Sequence, residues 1–324
     1  MNDKIDVVIP WVDDNDELWL KKKKSYSSQS SSIGELTSIN RYHDYGTLKY
    51  VLRSIANNMN WVDNVILVTD NQLPEWLNTR EVRVVDHKEF INGKLPTFNS
   101  NVIMTNLDKI PQLNEQFIAF NDETIVWNAV KKTDFFKNNL PVDSLIETGT
   151  VPKNDGFYHI SLNGVALINE RFSKRNVMLK NINKFFSFKY GIQIFRTLLS
   201  LPYGGFIGFL NQHLIIPYKK NDFKDACSLF PMEFERTWDH RFRELDDIND
   251  WLVRYIRNLK GNFTPGYLKG QFFSLSDFEK TMPKISQHSK VIVINDDSHY
   301  NIVILKRIQK LLSTKFPEKS KYEK

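Results

Sequence analysis

Phe117-Ile118-Ala119-Phe120-Asn121-Asp122-Glu123 decides how this chain is read. Four apolar residues in an unbroken run suit a strand buried on both faces, and the run stops on two adjacent carboxylates. Ahead of it lie the polar, turn-prone Leu95-Pro96-Thr97-Phe98-Asn99-Ser100-Asn101, then Leu107 and Ile110-Pro111. Two other apolar runs stop in the same way: Val7-Val8-Ile9-Pro10-Trp11-Val12-Asp13-Asp14 and Val291-Ile292-Val293-Ile294-Asn295-Asp296-Asp297. One such ending means little, because Asn and Asp are ordinary turn residues. Three predict strand ends that converge on a polyanion or metal, at the carboxyl edge where α/β sheets place ligands.

Outward from that stretch the pattern alternates. The apolar run at residues 5–12 leads to Asp13, Asp14 and Asp16, then to Glu17-Leu18-Trp19-Leu20, a helix opening with acidic groups in its first turn. Residues 25–32 are Ser-rich and read as a loop or a broken helix end. Leu48, Val51, Leu52 and Ile55 have helical spacing, and a second strand at residues 65–69 ends in Asp70-Asn71. Pro74-Glu75-Trp76-Leu77 reads as a short helix with Pro in its first turn, and residues 82–85 as a third strand. Strand, helix, strand, helix, strand predicts an α/β fold with a parallel, Rossmann-like sheet.

Beyond Glu123 the expectations are coarser. Residues 141–150 read as irregular or β, 157–168 as a strand pair, and 169–209 as mostly helical. Further helices are expected at 234–243, 248–259 and 276–282, the second carrying Ile248, Leu252, Tyr255, Ile256 and Leu259 on one stripe. A strand at 291–294 is expected to rejoin the sheet before an amphipathic helix at 301–312. The predicted organisation is one catalytic unit. Residues 1–168 and 288–312 form its α/β core, 169–287 a mainly helical insertion, and 313–324 a basic tail.

With 41% hydrophobic and 25% charged residues, the 324-residue chain has the composition of a globular protein with ample core. The net charge of +6 favours anionic partners, nucleotide diphosphates and anionic lipid among them, although much of the excess sits in residues 21–24 and 306–324. The lysines at 21–24 lack interleaved aromatics and read as a solvated face, so no nucleic-acid partner is expected. A single cysteine, Cys227, excludes an internal disulfide framework and a cysteine zinc site, and fits the cytosol. Met1-Asn2-Asp3-Lys4 leads straight into a strand, so no secretory signal is expected. Arg196, Pro202, three glycines and His213 interrupt the apolar run at 192–217 too often for a membrane span, which leaves a surface-seeking segment or a core helix pair. No phosphate-binding G-x-x-x-x-G-K-[ST] loop and no dinucleotide fingerprint is present.

Together these residues resemble the Stealth family of sugar-phosphate transferases. The likeness runs through Ile5-Asp6-Val7-Val8-Ile9-Pro10-Trp11-Val12-Asp13, then Arg41-Tyr42-x-Asp44, Leu48, Tyr50 and Leu52-Arg53-Ser54. It continues through Leu67-Val68-Thr69-Asp70, Leu95-Pro96-Thr97-Phe98-Asn99-Ser100 and Asn121-Asp122. A third region fits His213 with Pro217 and Arg241-Phe242-Arg243, and a fourth fits Ile294-Asn295-Asp296-Asp297. The sequence departs from the family pattern in Glu123, where a second Asp is usual, and in Asp14-Asn15-Asp16, where a Gly is common. It also lacks a second Pro beside His213.

The resemblance implies a glycosyltransferase-A-like nucleotide-sugar fold and transfer of a sugar 1-phosphate from a nucleotide diphosphate sugar to an acceptor hydroxyl. It implies Mg²⁺ or Mn²⁺ at Asp122, Glu123, Asp296 and Asp297, with Asp122 and Asp297 as the working pair. His213 is the implied general base and Arg243 the implied diphosphate clamp, unless Arg243 pairs with Asp246 or Asp247. Arg41 and Arg53 are secondary phosphate contacts. Thr97, Asn99 and Ser100 are expected to hold sugar hydroxyls, Asn99 foremost, with Trp11, Asp70 and Asn121 also at the substrate. Asp13 is expected at the donor ribose or sugar, its alternative being a helix cap. The expected partners are a UDP-sugar and a glycan acceptor, lipid-linked, at the inner face of the plasma membrane with peripheral membrane association. Rival readings are a glycosyltransferase that releases UDP and a noncatalytic glycan- or nucleotide-binding module.

Overall fold

The computed structural model describes residues 4–27, 45–151, 156–297 and 301–324. The first half of the chain gives β1 (Ile5–Pro10), α1 (Glu17–Ser27), α2 (Leu48–Asn58), β2 (Val65–Thr69), β3 (Val82–Asp86), α3 (Ser100–Met104), β4 (Gln116–Ala119) and β5 (Thr124–Val126). There follow β6 (Phe136–Lys137), β7 (Leu140–Asp143), α4 (Gly156–Arg171), α5 (Lys174–Lys180), α6 (Ile182–Phe185) and α7 (Ile194–Ser200). The remainder is β8 (Ile216–Lys219), α8 (Lys220–Leu229), α9 (Pro231–Trp238), α10 (Asp250–Leu259), β9 (Thr264–Pro265), β10 (Gly270–Ser274), β11 (Val291–Asn295) and α11 (Ile302–Lys315).

The first sheet has the order β3-β2-β1-β4-β8. Its first four strands are parallel, with Val7 opposite both Val65 and Ile118, while β8 closes the edge antiparallel to β4. The edge position explains how β8 tolerates Pro217, which has no N–H to give to a second neighbour. Alternate residues of these strands enter different cores. Val7, Ile9, Val65, Leu67 and Ile118 pack with α2, α11 and the second sheet, whereas Val8, Ile66, Val68 and Phe117 pack with α4, α8, α9 and α10. Both faces are therefore covered, as the unbroken Val/Ile runs require.

The second sheet, β10-β11-β5, corrects one expectation: β11 does not rejoin the first sheet but lies parallel to β10 and antiparallel to β5. Residues 157–168 are not a strand pair but part of α4, whose Val165 and Ile168 pack with Leu252 and Tyr255 of α10. Pro74–Leu77 forms turns rather than a helix, because Leu77 bridges Glu323 and Asn78 N–H donates to Tyr322 O. Only a single 3₁₀ turn, Leu275–Phe278, occupies the helix expected at 276–282. The tail at 313–324 packs against the chain after β2, with Lys324 N–H donating to Trp76 O. Residues 169–287 hold α5–α10, and also lend β8 to the first sheet and β10 to the second. Most of the Ser-rich stretch at 25–32 lies outside the described residues.

Candidate active site

In the order β3-β2-β1-β4, the strand sequence runs outward from β1 to β2 and β3 and then reverses to place β4 on the other flank of β1, the kind of switch point at which parallel sheets open a crevice. Residues 121–123 sit at that point. They form the tight turn from β4 in the first sheet to β5 in the second, closed by Thr124 N–H donating to Asn121 O at 3.1 Å. Ile294 N–H donates to Glu123 O at 3.3 Å, so β11 ends beside the turn and delivers Asn295-Asp296-Asp297 next to it. Asp297 accepts Ser276 N–H at 3.0 Å, which ties this strand end to the end of β10. Two of the three expected acidic endings thus meet across the seam between the sheets.

His213 reaches the same turn from the other side. Its Nε2 lies 3.4 Å from Asn121 Nδ2 and 3.8 Å from Glu123 Oε1. The ring stands edge-on to Phe272 of β10 and Trp251 of α10, with centroids 5.5 Å and 6.2 Å away. Its backbone φ is +54°, a left-handed conformation that costs a non-glycine residue and must be held by its surroundings.

The holding network is visible. Arg254 donates from Nε and Nη2 to the two oxygens of Asp143, and from Nη1 to Asn211 Oδ1 at 2.5 Å and Leu210 O at 3.4 Å. Asn211 in turn donates to Tyr255 Oη. Arg257 also donates to Asp143, and to Pro217 O at 2.6 Å. Burial pushes the Asp143 carboxyl up, but the two guanidiniums outweigh it and hold the group at about 2. Sequence reading missed this support. Its trace was the polar set Arg254, Arg257 and Asn258 on a helix otherwise read by its apolar stripe; all three are buried.

Burial pushes the Glu123 carboxyl up, yet the neighbouring His213 and Asp122 side chains prevail and hold it below the ordinary carboxylate range. Two acidic side chains pressed together beside a histidine form a donor set of hard oxygens that suits Mg²⁺ or Mn²⁺. Among the described residues, the three-residue group with ligand atoms within 4.8 Å of one another is instead His240, Asp246 and Asp247. The acidic turn is therefore no closed cage. It fits an ion that takes one or two carboxylates and completes its shell with phosphate oxygens and water.

Several expected substrate contacts prove to be braces. Asn99 is fully buried; its amide donates to Asp247 Oδ2 at 2.8 Å and Phe242 O at 3.2 Å, and its oxygen caps α3 through Asn101 N–H. Asp247 also accepts from Asn101, from Glu244 N–H and from His240 Nδ1, the last at 2.8 Å. Thr97 is buried and accepts Asn99 N–H. Asn99 thereby binds the 95–101 loop, expected at the sugar, to the 240–247 segment, and Thr97 holds Asn99 within that loop. Phe98, stacked on Phe242 at 5.1 Å and edge-on to Trp19, completes that joint.

Arg53 pairs with Glu323 at 2.8 Å and donates to Phe316 O and Pro317 O, so its guanidinium clamps the C-terminal segment. Asp70 is buried and paired with Lys22 at 2.8 Å. Trp11 is buried in the core. Asp13 accepts from Asn15, and Gln72 is hydrogen-bonded to its backbone at both N–H and C=O; the cap of α1 is Asp16. Ser100 and Arg243 remain partly exposed, with Arg243 Nη2 donating to Ser100 Oγ. Arg41 lies outside the described residues. A concavity of about 510 Å³ between α2 and α11, lined by Lys49, Trp76, Lys306 and Lys310, contains none of the residues expected to carry chemistry.

Conserved region 1 of Stealth proteins matches residues 3–31, and conserved region 2 matches residues 41–143. The chain is 34% identical to a capsular polysaccharide phosphotransferase, WcwK, of Streptococcus pneumoniae, over 99% of this chain and 98% of that one. It is 33% identical to an exopolysaccharide phosphotransferase, cps2G, of Lactiplantibacillus plantarum, over 99% and 96%. A receptor polysaccharide phosphotransferase, WefC, of Streptococcus gordonii is also 33% identical, over the full length of both chains. The solved galactosyltransferase LgtC, in complex with donor and acceptor sugar analogs, aligns over 95% of each chain at 9% identity and a TM-score of 0.38, too slight a likeness to argue from. Two family regions that match residues 3–31 and 41–143, and relatives 33–34% identical over the whole chain, identify it: the chain is a phosphotransferase of the Stealth family.

Proposed function

We propose that this enzyme transfers a hexose or N-acetylhexosamine 1-phosphate from a UDP-sugar to a glycan hydroxyl, in capsule or exopolysaccharide assembly. The observation that carries the reading is the turn that gathers Asn121, Asp122 and Glu123 against His213 Nε2, in a chain whose full-length relatives are polysaccharide phosphotransferases. The acceptor oxygen attacks the sugar-proximal phosphorus, its proton passes to His213, the phosphoanhydride P–O bond breaks, and UMP leaves. The anomeric C–O bond stays intact, so the product is a sugar phosphodiester with the donor's anomeric configuration. Such a reaction asks a protein chiefly for in-line positioning and charge neutralisation.

Asp122 and Glu123, with Asp296 and Asp297, would hold a divalent ion. When bound, the ion offsets the negative charge of the diphosphate. Arg243 adds a guanidinium for the same oxygens, and Asn121 orients the imidazole. The acceptor is a lipid-linked glycan at the cytoplasmic face of the membrane. No helix among the described residues is long and apolar enough to cross a membrane.

The test is nucleotide release from a panel of UDP-sugars with Mg²⁺ or Mn²⁺ and glycan acceptors, resolved by anion exchange. UMP is expected, and Asp122→Asn is expected to lower its rate about a thousandfold with substrate KM little changed. UDP would mean glycosyl transfer instead. Nucleotide-sugar binding without turnover across the panel, unchanged in Asp122→Asn, would mean a noncatalytic module.

A further inference from the structure

We infer that α5, α6, α7 and the Phe188–Gln193 turn between them form a docking face for an anionic membrane surface. Of eighteen large apolar side chains that are exposed among the described residues, nine fall within residues 179–203. Phe188 is 95% exposed, and Leu179, Ile192, Phe195 and Leu199 are each more than half exposed. Isolated exposed apolar residues are ordinary, but a contiguous set marks an interaction surface.

The orientation of α7 is built in. Its buried positions are Thr197 and Ser200, and its outward positions include Phe195, Leu198 and Leu199, the reverse of a helix that packs on a core through its apolar stripe. The inward polar face is locked. Ser200 Oγ donates to Glu147 Oε2 at 2.8 Å, Glu147 N–H donates to Thr197 Oγ1, and Lys174 Nζ donates to Glu147 Oε1 at 2.9 Å and to Ser200 O at 2.6 Å. Glu147 is completely buried, so this ion pair fastens α5 and α7 to the body with their apolar side chains turned out.

Charge identifies the occupant. No Asp or Glu occurs from Arg171 through Asn221, while the exposed Lys180, Lys189 and Arg196 lie among the exposed apolar residues. Apolar side chains interspersed with cations, in a stretch of chain that carries no acidic residue, suit an anionic bilayer better than a second copy of this +6 chain. The structure thereby narrows the apolar run at 192–217: its second half is core, with Phe206, Phe209 and Ile215 buried. The same backbone continues from α7 into His213, so the docked face is joined through residues 201–212 to the candidate base.

The experiment is flotation of the full-length protein with phosphatidylcholine vesicles, with and without phosphatidylglycerol, in the absence of nucleotide sugar. Its outcome is then independent of which nucleotide the enzyme releases. Flotation is expected only with the anionic vesicles, weakening as salt rises. The triple variant Phe188→Ser, Phe195→Ser, Leu199→Ser is expected to lower the floated fraction about tenfold, with Tm and monomer size unchanged. Phe188→Ser alone, at a site that packs on nothing, is expected to act in the same direction. Absence of flotation, equal flotation of the triple variant, or a dimer that the triple variant turns into monomer would each overturn the proposal, the last by making a second copy the occupant.

Discussion

The molecule sets a histidine against a carboxylate in two places, and the two arrangements do different work. At His240 the partner is Asp247, which has no exposed surface and receives hydrogen bonds from Asn99, Asn101, His240 and Glu244 N–H. The Asp247 hydrogen bond raises the His240 pKa, as befits a donor in a fixed brace. At His213 the partner is Glu123 at 3.8 Å, about one-fifth exposed, on a turn between two sheets, and the histidine backbone is in the left-handed region. The first pair lies inside a satisfied network. The second lies partly exposed beside the turn where two strand ends meet. Ligand-atom distances alone select the other pair, since among the described residues the three-residue cluster tight enough for a metal contains His240.

Removing the anion from the brace gives the largest expected change in stability. Asp247→Ala strands two amides, a backbone N–H and an imidazole in a buried place, and should cost about 3–5 kcal/mol in urea denaturation. A loss below about 1 kcal/mol would break the distinction between brace and site.

A third histidine sharpens the comparison. His87 is buried, neither ring nitrogen has a hydrogen-bond partner among the described residues, and burial lowers its pKa to about 4 against the charges of Asp70 and Asp86. Below about 6.5 the unfolded chain binds a proton that folded His87 refuses, so stability falls with pH from there to about 4. The loss over that window is about 3 kcal/mol, and His87→Leu should flatten the Tm profile across it.

The smallest effect concerns Arg53. If it clamps Glu323, Glu323→Gln should lower stability by about 1–2 kcal/mol and leave nucleotide release unchanged. A change in donor KM would return Arg53 to the substrate.

The parallel strands were legible because burial on both faces leaves unbroken Val/Ile runs, as in β1 and β2. α4 was not, because Tyr158, Ile160 and Val165 read as strand formers while the segment packs as a helix against α10. The acidic turn could be found from sequence, since a strand end names its own residues. Asn99 and Arg53 could not be sorted, because their partners lie 148 and 270 residues away and a loop polar group serves a brace or a ligand with the same chemistry. β11 was recognised as a strand but assigned to the wrong sheet, because periodicity carries no information about its neighbour.

The most direct test sets His213→Gln beside His240→Gln and measures nucleoside monophosphate release and Tm on both proteins. The account predicts that His213→Gln lowers kcat by about 10²–10⁴ with Tm nearly unchanged, and that His240→Gln lowers Tm while the folded protein keeps its kcat. A variant at His240 that loses turnover with its Tm intact, alongside a His213 variant that keeps turnover, would contradict it.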